Sequence, residues 1–241
     1  MSRRLAAAGF DLLISARDRA RLETLADELS GPTTRQIHID AGELTGAADV
    51  RRVADGCRRF GAPACLVNAS GVFGPIAHPE SISPREWEAV MALNATAPIA
   101  LACSLLPDML NAGFGRIVMV SSAHTLYPAD ALTSPYFVSK AALNAATRGL
   151  AARLQGTDVA AVLMHPGDLK TAMWADIAAQ VGRLGEEAAQ LREWARSVGE
   201  SGGDDPADAA ELVAEIIDRD GSWSNGRFLF AGASAERHPS P

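Results

Sequence analysis

Tyr136 and Lys140, within residues 134–140, are the pair of side chains best suited to chemistry in this sequence. The chain has only two tyrosines and two lysines, while Lys and Arg together number 22, so Arg is the usual cation here. On a helix, positions i and i+4 share one face, about 5–6 Å apart at Cβ. The ammonium should therefore lower the pKa of the phenol from its reference of about 10, which suits a tyrosine that exchanges a proton with an alcohol or carbonyl oxygen. An ordinary surface Tyr–Lys pair would have the same spacing.

The elements that position this pair follow from short apolar runs that alternate with helical patterns, which indicates βαβ units and a parallel sheet. The patterning predicts strands at 12–15, 36–39, 64–67, 116–120, 159–163 and near 227–231, and helices at 2–8, 18–29, 46–59, 84–110, 136–154 and 206–218. The helical but glycine-containing segment 174–203 is predicted to form a mobile substrate lid, and residues 234–241 a loose tail. The pattern therefore predicts one α/β domain over residues 1–241.

Composition argues against several classes of protein. Apolar residues make up 48% of the chain, and no run of 18 apolar residues predicts a membrane span. The net charge of −7 and the lack of a basic stripe argue against a nucleic-acid surface. Cys57, Cys65 and Cys103 lack metal-ligand spacing and are predicted to be buried thiols of a cytoplasmic protein without a metal site. The first residues resemble a signal peptide, but Asp11 and Arg17 interrupt the apolar stretch.

Further motifs accompany Tyr136 and Lys140 in a fixed order. The sequence has Asn68-Ala69-Ser70-Gly71 after a strand, Asn94 in the long helix, Ser121-Ser122 at a strand end, and Pro166-Gly167 and Thr171 after the next strand. In this order the chain resembles the short-chain dehydrogenase/reductase family over nearly its whole length, with Ala69 in place of the second Asn of the family's Asn-Asn-Ala-Gly motif. The resemblance implies a doubly wound, Rossmann-type parallel sheet and hydride transfer between a nicotinamide cofactor and a carbonyl or alcohol.

The resemblance also implies a catalytic set. Tyr136 would be the general acid/base, and Ser122 would hydrogen-bond the substrate oxygen. Lys140 would lower the pKa of the tyrosine and bind the nicotinamide ribose, and Asn94 would hold a water in the proton relay. Strand alternation turns Ser121 to the opposite face. Plainer roles remain open: Ser122 as a loop cap, and Asn94 as a polar residue at a kink caused by a nearby proline.

The residues that would bind the cofactor are Arg17, Asp40, Asn68, Gly71, Tyr136, Lys140, Pro166, Gly167 and Thr171. Ser15-Ala16-Arg17 closes a strand without an acid, and a guanidinium matches a 2′-phosphate, so we expect NADP rather than NAD. Arg17 could equally be a surface charge beside a helix. By resemblance, Asp40 would lie near the adenine and Thr171 at the nicotinamide carboxamide.

One part of the family pattern is missing from this sequence. Members begin with a strand and a Thr-Gly-x-x-x-Gly-x-Gly turn, whereas the present sequence starts within the helix that follows that turn. The pyrophosphate would lose the backbone N–H groups that bind it, and a mid-sheet strand position would be empty, about 4.8 Å from each neighbour. Three explanations stay open: a sequence clipped at its start, a truncated protein supported by a partner, and a rearranged active form.

Substrate and partners are only broadly indicated. Phe73, Met173, Trp174, Ile177 and Trp194 suggest an apolar pocket roof and hence an apolar carbonyl or alcohol substrate, although the same residues could simply pack the lid. No nucleic acid or membrane partner is expected. The helices at 84–110 and 136–154 resemble the family's contact surfaces, so we expect a homodimer or homotetramer. The alternative function is a non-catalytic binding or regulatory subunit.

Overall fold

The computed structural model describes residues 1–30 and 36–232, and strands and helices alternate along the chain as the apolar patterning predicts. The strands are β1 (Leu12–Ala16), β2 (Ile37–Ala41), β3 (Cys65–Asn68), β4 (Gly115–Val120), β5 (Val159–His165) and β6 (Phe228–Phe230). The helices are α1 (Ser2–Ala7), α2 (Arg19–Leu29), α3 (Ala47–Arg58), α4 (Pro84–Met91), α5 (Ala97–Ala112), α6 (Ser134–Arg153), α7 (Ala172–Val181), α8 (Ala189–Ser201), α9 (Pro206–Asp218) and α10 (Gly221–Ser224). The predicted tail at 234–241 lies outside the described residues.

The strands form two separate parallel sheets. β1 pairs with β2, and β3, β4, β5 and β6 pair in that order, every pair being parallel. A cavity of about 640 Å³ lies between the sheets and is lined by residues of both β1 and β3. The cavity lies where the sequence predicts an unoccupied strand position in the middle of the sheet. None of the described residues forms a strand there.

The core lies on both faces of the four-stranded sheet. β4 and β5 are almost entirely buried, which suits their largely apolar sequences, because strands covered on both faces need no polar alternation. Leu105, Met109 and Leu143 of α5 and α6 pack on one face, and Val213 and Ile216 of α9 pack on the other. The carboxyl ends of β3, β4 and β5 are thereby held at one edge, where open α/β sheets bind ligands.

The long helix predicted at 84–110 is interrupted. A π-helical turn, Ala92–Thr96, separates α4 from α5. Pro98 has no N–H to donate to the carbonyl of Asn94, which explains why regular hydrogen bonding fails at this turn. The stretch Pro84–Ala112 is also the one described helix that is long and apolar enough to span a membrane, with a mean hydropathy of 1.8. Its apolar residues line the core described above, which accounts for that composition.

The structure refines the prediction of the lid and corrects the prediction of the buried cysteines. The segment predicted as a lid comprises α7, a short 3₁₀ turn at Glu186–Ala188 and α8. The prediction of three buried thiols is wrong for Cys103, which is exposed, and Cys57 and Cys65 are only half-buried. Cys103 lies on the outer face of α5, where no neighbouring element covers it, and helical spacing alone did not reveal this.

Candidate active site

Helix α6 places Tyr136 and Lys140 inside the protein. Pro135 lies in its first turn, where a missing N–H costs nothing. Tyr136 is 8% exposed and Lys140 3% exposed, so the pair faces the interior and is not an ordinary surface pair. The Lys140 Nζ lies 5.9 Å from the centre of the Tyr136 ring and donates a hydrogen bond to the Val120 carbonyl at 2.8 Å. The helix therefore delivers both side chains to the carboxyl end of β4.

The two serines after β4 point to different places, as strand alternation predicts. The Ser121 hydroxyl is buried and donates to Asn144 Oδ1 at 2.5 Å. The Ser122 side chain hydrogen-bonds Tyr136 and also accepts from the His124 backbone N–H at 3.2 Å. Ser122 thus caps the following 3₁₀ turn, one of the two roles that the sequence left open, and its side chain also reaches the tyrosine.

Burial dominates the electrostatics of this site. It raises the pKa of Tyr136, while the hydrogen bond with Ser122 lowers that pKa and the charge of Asp168 raises it further. Burial also lowers the pKa of Lys140 to about 8. The direction for Tyr136 is opposite to the sequence-based expectation, because the ammonium of Lys140 is directed at the Val120 carbonyl and does not offset the loss of water around the phenol.

Asn94 and Gly71 complete the buried centre. Asn94 is 0% exposed and lies in the π turn. Its side chain accepts from the Val72 N–H at 2.9 Å and donates to the Val72 carbonyl at 2.8 Å and to Ser139 Oγ at 3.0 Å. A Cβ placed on Gly71 would lie 3.3 Å from Asn94 Oδ1 and 3.6 Å from Lys140 Nζ. The glycine therefore leaves space directly beside both residues.

The residues predicted to bind the adenine half of a cofactor lie at the ends of β1, β2 and β3. The Asp40 carboxylate is bound by the Arg52 guanidinium and accepts from Ser15 Oγ at 2.8 Å. Arg17 is exposed and makes no hydrogen bond or ion pair within the part of the chain that the structure describes. The amide of Asn68 is buried, and its Nδ2 donates to the Pro98 carbonyl at 3.4 Å and to the Met119 sulfur at 3.2 Å.

The loop after β5 is anchored to the segment that follows α8. Gly167 has φ +96°, and a Cβ there would meet Asp204 Oδ2 at 2.7 Å, so glycine is required. The Asp168 N–H donates to the same Asp204 oxygen at 2.7 Å. Thr171 caps α7 by accepting from the Trp174 N–H at 3.4 Å. Pro166, Gly167 and Thr171 thus lie together at the sheet edge, near enough to the site for the charge of Asp168 to raise the pKa of Tyr136.

The loop after β3 covers the tyrosine, and α7 reaches the neighbouring Gly71. The Phe73 ring stacks on the Tyr136 ring with centroids 4.5 Å apart. Met173 reaches the position of Gly71, since its Cε would lie 3.8 Å from a Cβ there. Trp174 instead ties α7 to α8 through its indole N–H, which donates to the Ala195 carbonyl at 2.9 Å. Of the apolar residues predicted to roof a pocket, some therefore line the site while Trp174 packs the lid.

Three residues of the site were missed by the sequence analysis. Asn144 lies four residues after Lys140, and extending the helical spacing by one more turn would have indicated it. Asp168 directly follows Pro166-Gly167, but no pattern in the sequence indicated that its charge acts on Tyr136. Gln180 reaches across from α7 to the loop after β3, accepting from the Ile76 N–H at 3.0 Å and donating to the Gly74 carbonyl at 3.1 Å. No sequence pattern predicts that contact.

The residues present fit the nicotinamide half of a dinucleotide. Gly71 leaves space beside Lys140 and Asn94, and the Ser70 Oγ in the same motif is buried without a hydrogen-bond partner among the described residues. The sequence contains no glycine-rich turn for the pyrophosphate. No group of three His, Cys, Asp or Glu residues within 1–30 and 36–232 is placed to hold a metal. The chemistry that this arrangement supports is proton exchange with an oxygen bound between Ser122 and Tyr136.

Known proteins are similar to this chain in sequence and in fold. Residues 1–182 match the family described as short chain dehydrogenase. A short chain dehydrogenase of Pseudocercospora fijiensis is 31% identical over 175 residues, which are 70% of this chain and 55%, about half, of the relative's length. The Homo sapiens dehydrogenase/reductase SDR family member 4 is 27% identical over 96% of this chain and 81% of its own. The L-sorbose reductase of Gluconobacter frateurii, solved with NADPH and L-sorbose, has a TM-score of 0.82 at 22% identity, covering 97% of this chain and 89% of that one.

Proposed function

Because the chain belongs to the short-chain dehydrogenase family, we propose that it is an oxidoreductase that transfers a hydride between NADP(H) and a carbonyl or alcohol substrate, with Tyr136 as general acid/base. The observation that carries the proposal is the convergence of Ser122, Tyr136 and Lys140. The first is hydrogen-bonded to the second, and the third lies on the same helix face with its Nζ 5.9 Å from the phenol ring. A bound NADP(H) would supply or accept the hydride.

Ser122 and Tyr136 act on the substrate oxygen. The Ser122 hydroxyl donates to this oxygen and holds it beside the phenol. Because burial raises the pKa of Tyr136, its phenol stays protonated at neutral pH and can donate that proton to the oxygen of a carbonyl as the oxygen gains charge. In the oxidation direction the same phenolate oxygen takes the proton from the alcohol.

Lys140 and Asn94 support the proton transfer. The ammonium of Lys140 is directed at the Val120 carbonyl in the present structure, and turning toward a ribose hydroxyl would bring its charge to the tyrosine side of the site. A cation nearby favours the phenolate that each turnover produces. Asn94 fixes the backbone of Val72 and lies in a π turn, a form of helix that frequently marks functional sites. We assign to Asn94 the role of holding a water molecule in the proton relay.

NADP is the expected cofactor. Arg17 is exposed and unpaired among the described residues, so its guanidinium is available for a 2′-phosphate. Asp40, Asn68, Gly71, Pro166, Gly167 and Thr171 complete the proposed binding residues. The L-sorbose reductase that shares this fold was solved with NADPH, which supports the same assignment.

The substrate is expected to be small and apolar. Phe73 and Met173 present apolar surface at the site, and Ile177 belongs to the same apolar cluster beneath α7. Since Phe73 covers the Tyr136 ring, the loop after β3 and the lid have to open for the substrate to enter. The proposal also includes that the protein forms a homodimer or homotetramer and that it is located in the cytoplasm.

A second function has one specific observation in its favour. The cavity between β1 and β3 leaves the two sheets unjoined among the described residues, which favours a non-catalytic binding subunit. Titration of the chain with NADPH, followed by the change in nicotinamide fluorescence, separates the two. Saturable binding supports the enzyme, and no binding, even after a strand and glycine-rich turn are added before Met1, supports the subunit.

Replacing the tyrosine tests the mechanism. Tyr136→Phe, in the chain extended by such a strand and turn, should lower kcat by about 10²–10⁴, because the phenol supplies the general acid/base. NADPH oxidation with a panel of apolar ketones and aldehydes measures the rate. Tyr127→Phe is the matched control, since Tyr127 is exposed and should leave the rate unchanged. A loss of only a few-fold in Tyr136→Phe contradicts the assignment.

A further inference from the structure

Helix α6 carries a third polar side chain in line with the catalytic pair. Tyr136, Lys140 and Asn144 are spaced four residues apart, so they lie on one face of the helix. Asn144 is only 6% exposed. Its Oδ1 accepts from Ser121 Oγ at 2.5 Å, and its Nδ2 donates to Thr125 Oγ1 at 2.9 Å. One amide therefore binds residues on both sides of Ser122.

The second of these contacts continues to Ser122 itself. Thr125 Oγ1 donates to the Ser122 carbonyl at 2.8 Å, and the Thr125 N–H donates to the same carbonyl at 3.1 Å. The loop has two further anchors: on β5 the Met164 carbonyl accepts from the Ser121 N–H at 2.7 Å, and His124 Nε2 lies 3.0 Å from Thr133 Oγ1, just before α6. Besides Tyr136 itself, Asn144 is thus the α6 side chain among the described residues that hydrogen-bonds this loop, and it does so on both sides of Ser122.

We infer that Asn144 is a positioning residue that holds the Ser122 hydroxyl at the Tyr136 phenol. Asn144 and Tyr136 are eight residues apart on one helix, about 12 Å along its axis, and a continuous helix does not change that distance. Fixing the loop to Asn144 therefore fixes Ser122 relative to Tyr136. Without this bridge, the loop would be held by β5 and, through His124, by Thr133 at the start of α6, and small movements of its Ser122 end would separate the two hydroxyls.

The next step rests on the proposed function, in which Lys140 binds the nicotinamide ribose. That role of Lys140 makes the hydrogen bonds from Asn144 to the loop more important. Lys140 is the other α6 side chain that grips the end of β4, through its hydrogen bond to the Val120 carbonyl. When its ammonium turns toward a ribose, that hydrogen bond is weakened or lost. Asn144 then remains as the α6 side chain that keeps the loop in place during the reaction.

A merely structural role for Asn144 makes a different prediction, and the chain offers a matched control. Asn225 also bridges two elements with both ends of its amide, donating to the Ala151 carbonyl at 2.9 Å and accepting from the Ala161 N–H at 3.1 Å. These contacts lie at the opposite end of α6. Asn225→Ala should destabilise the protein without affecting Tyr136, whereas Asn144→Ala should also change the ionisation of the phenol.

The ionisation of Tyr136 can be measured without cofactor or substrate. The chain has two tyrosines, so in a Tyr127→Phe background the near-ultraviolet absorbance of tyrosinate reports Tyr136 alone. Since the Ser122 hydrogen bond lowers the pKa of Tyr136, we expect Asn144→Ala and Asn144→Leu to shift its titration to higher pH. The shift should be no larger than that caused by Ser122→Ala. Asn225→Ala should cause none.

A double substitution makes the test specific. Once Ser122→Ala has removed the hydroxyl, adding Asn144→Ala should shift the titration no further, because Asn144 acts through Ser122. The charged and titratable groups that face Tyr136, namely Lys140, Asp168 and His124, are the same in every variant. An unchanged titration in both Asn144 variants overturns the inference, as does an equal further shift in the Ser122→Ala background.

Amide hydrogen exchange decides the matter if the protein unfolds before the phenol ionises. Asn144→Ala should speed exchange within residues 121–126 while leaving β5 protected. Asn225→Ala should instead speed exchange around residues 221–227. Equal protection of 121–126 in the parent and the Asn144 variants overturns the inference. Neither measurement depends on turnover or on NADP, so failure here is distinct from failure of the proposed function.

Discussion

At the scale of single residues, Lys140 shows how the site is built at the expense of stability. It is 3% exposed, and burial lowers its pKa to about 8. One hydrogen bond to the neutral Val120 carbonyl does not replace the water that a cation loses on folding. An apolar side chain of similar length would suit this position better in the cofactor-free protein, so the lysine is retained for its charge.

Replacing Lys140 with Met should raise the free energy of unfolding at pH 7 by up to about 3 kcal/mol. Between the folded pKa of about 8 and the unfolded value of 10.5, the unfolded lysine holds a proton that the folded one has lost. The stability of the parent should therefore rise with pH across this window, and that of Lys140→Met should lack this rise.

Urea denaturation at several pH values measures both effects. Lys170→Met is the control, since Lys170 is exposed and its Nζ donates to the Gly199 carbonyl at the surface. A Lys140→Met variant that is less stable than the parent at pH 7 would contradict this prediction, because it would show that the interactions of Lys140 in the folded protein outweigh the hydration that its ammonium loses.

At the scale of elements, one glutamine joins the lid to the sheet. Gln180 on α7 binds the backbone on both sides of Pro75 in the loop after β3, through the Gly74 carbonyl and the Ile76 N–H. That loop carries Phe73, whose ring covers Tyr136. The Gln180 amide therefore couples the position of the lid to the cover over the phenol.

Gln180→Ala should break the coupling between α7 and the loop after β3. We expect faster amide exchange in both α7 and residues 72–76, with a loss of about 1 kcal/mol in stability, because two partly buried hydrogen bonds to the loop and an exposed one to Asp176 are removed. Gln190→Ala is the matched control, since Gln190 lies exposed on α8. If exchange rises in α7 alone, the loop after β3 is held by something other than Gln180.

At the scale of the whole molecule, the two sheets face each other across the cavity of about 640 Å³. The edge of β1 away from β2 and the edge of β3 away from β4 carry backbone groups that no described strand pairs. Unpaired sheet edges bind extended chain readily. The cavity is therefore the place at which an added parallel strand would join the six strands of the structure into one sheet.

Extending the chain before Met1 with a strand and a Thr-Gly-x-x-x-Gly-x-Gly turn should fill this cavity. We expect the free energy of unfolding to rise by about 3–5 kcal/mol, since each of several new backbone hydrogen bonds contributes about 1 kcal/mol. NADPH affinity should rise as well, and Arg17→Ala in the extended chain should weaken NADPH binding more than NADH binding. An extension of equal length made of Gly and Ser is the control. Equal stability of the two extended chains would show that the cavity does not accept a strand.

The sequence by itself determined the elements and the order in which they occur. Apolar runs such as 159–163 mark strands, and period-3.6 patterns mark helices, because both depend on near neighbours in the chain. The same locality explains why helical spacing singled out Tyr136 and Lys140, whereas Ser122 was chosen through the resemblance to the family. The empty position in the sheet was also predictable, since it follows from the order of strands in the family that the chain resembles.

Only the tertiary structure decided which groups meet across elements and how far each is removed from water. The bonds from Asn144 to the Ser122 loop and from Gln180 to Gly74 join residues that are distant in sequence, so their existence depends on how helices pack and not on local pattern. The pKa of Tyr136 was expected to fall because of its neighbour but is raised by burial, which is a property of the whole fold. Spacing along a helix fixes proximity, whereas desolvation is fixed by everything packed around it.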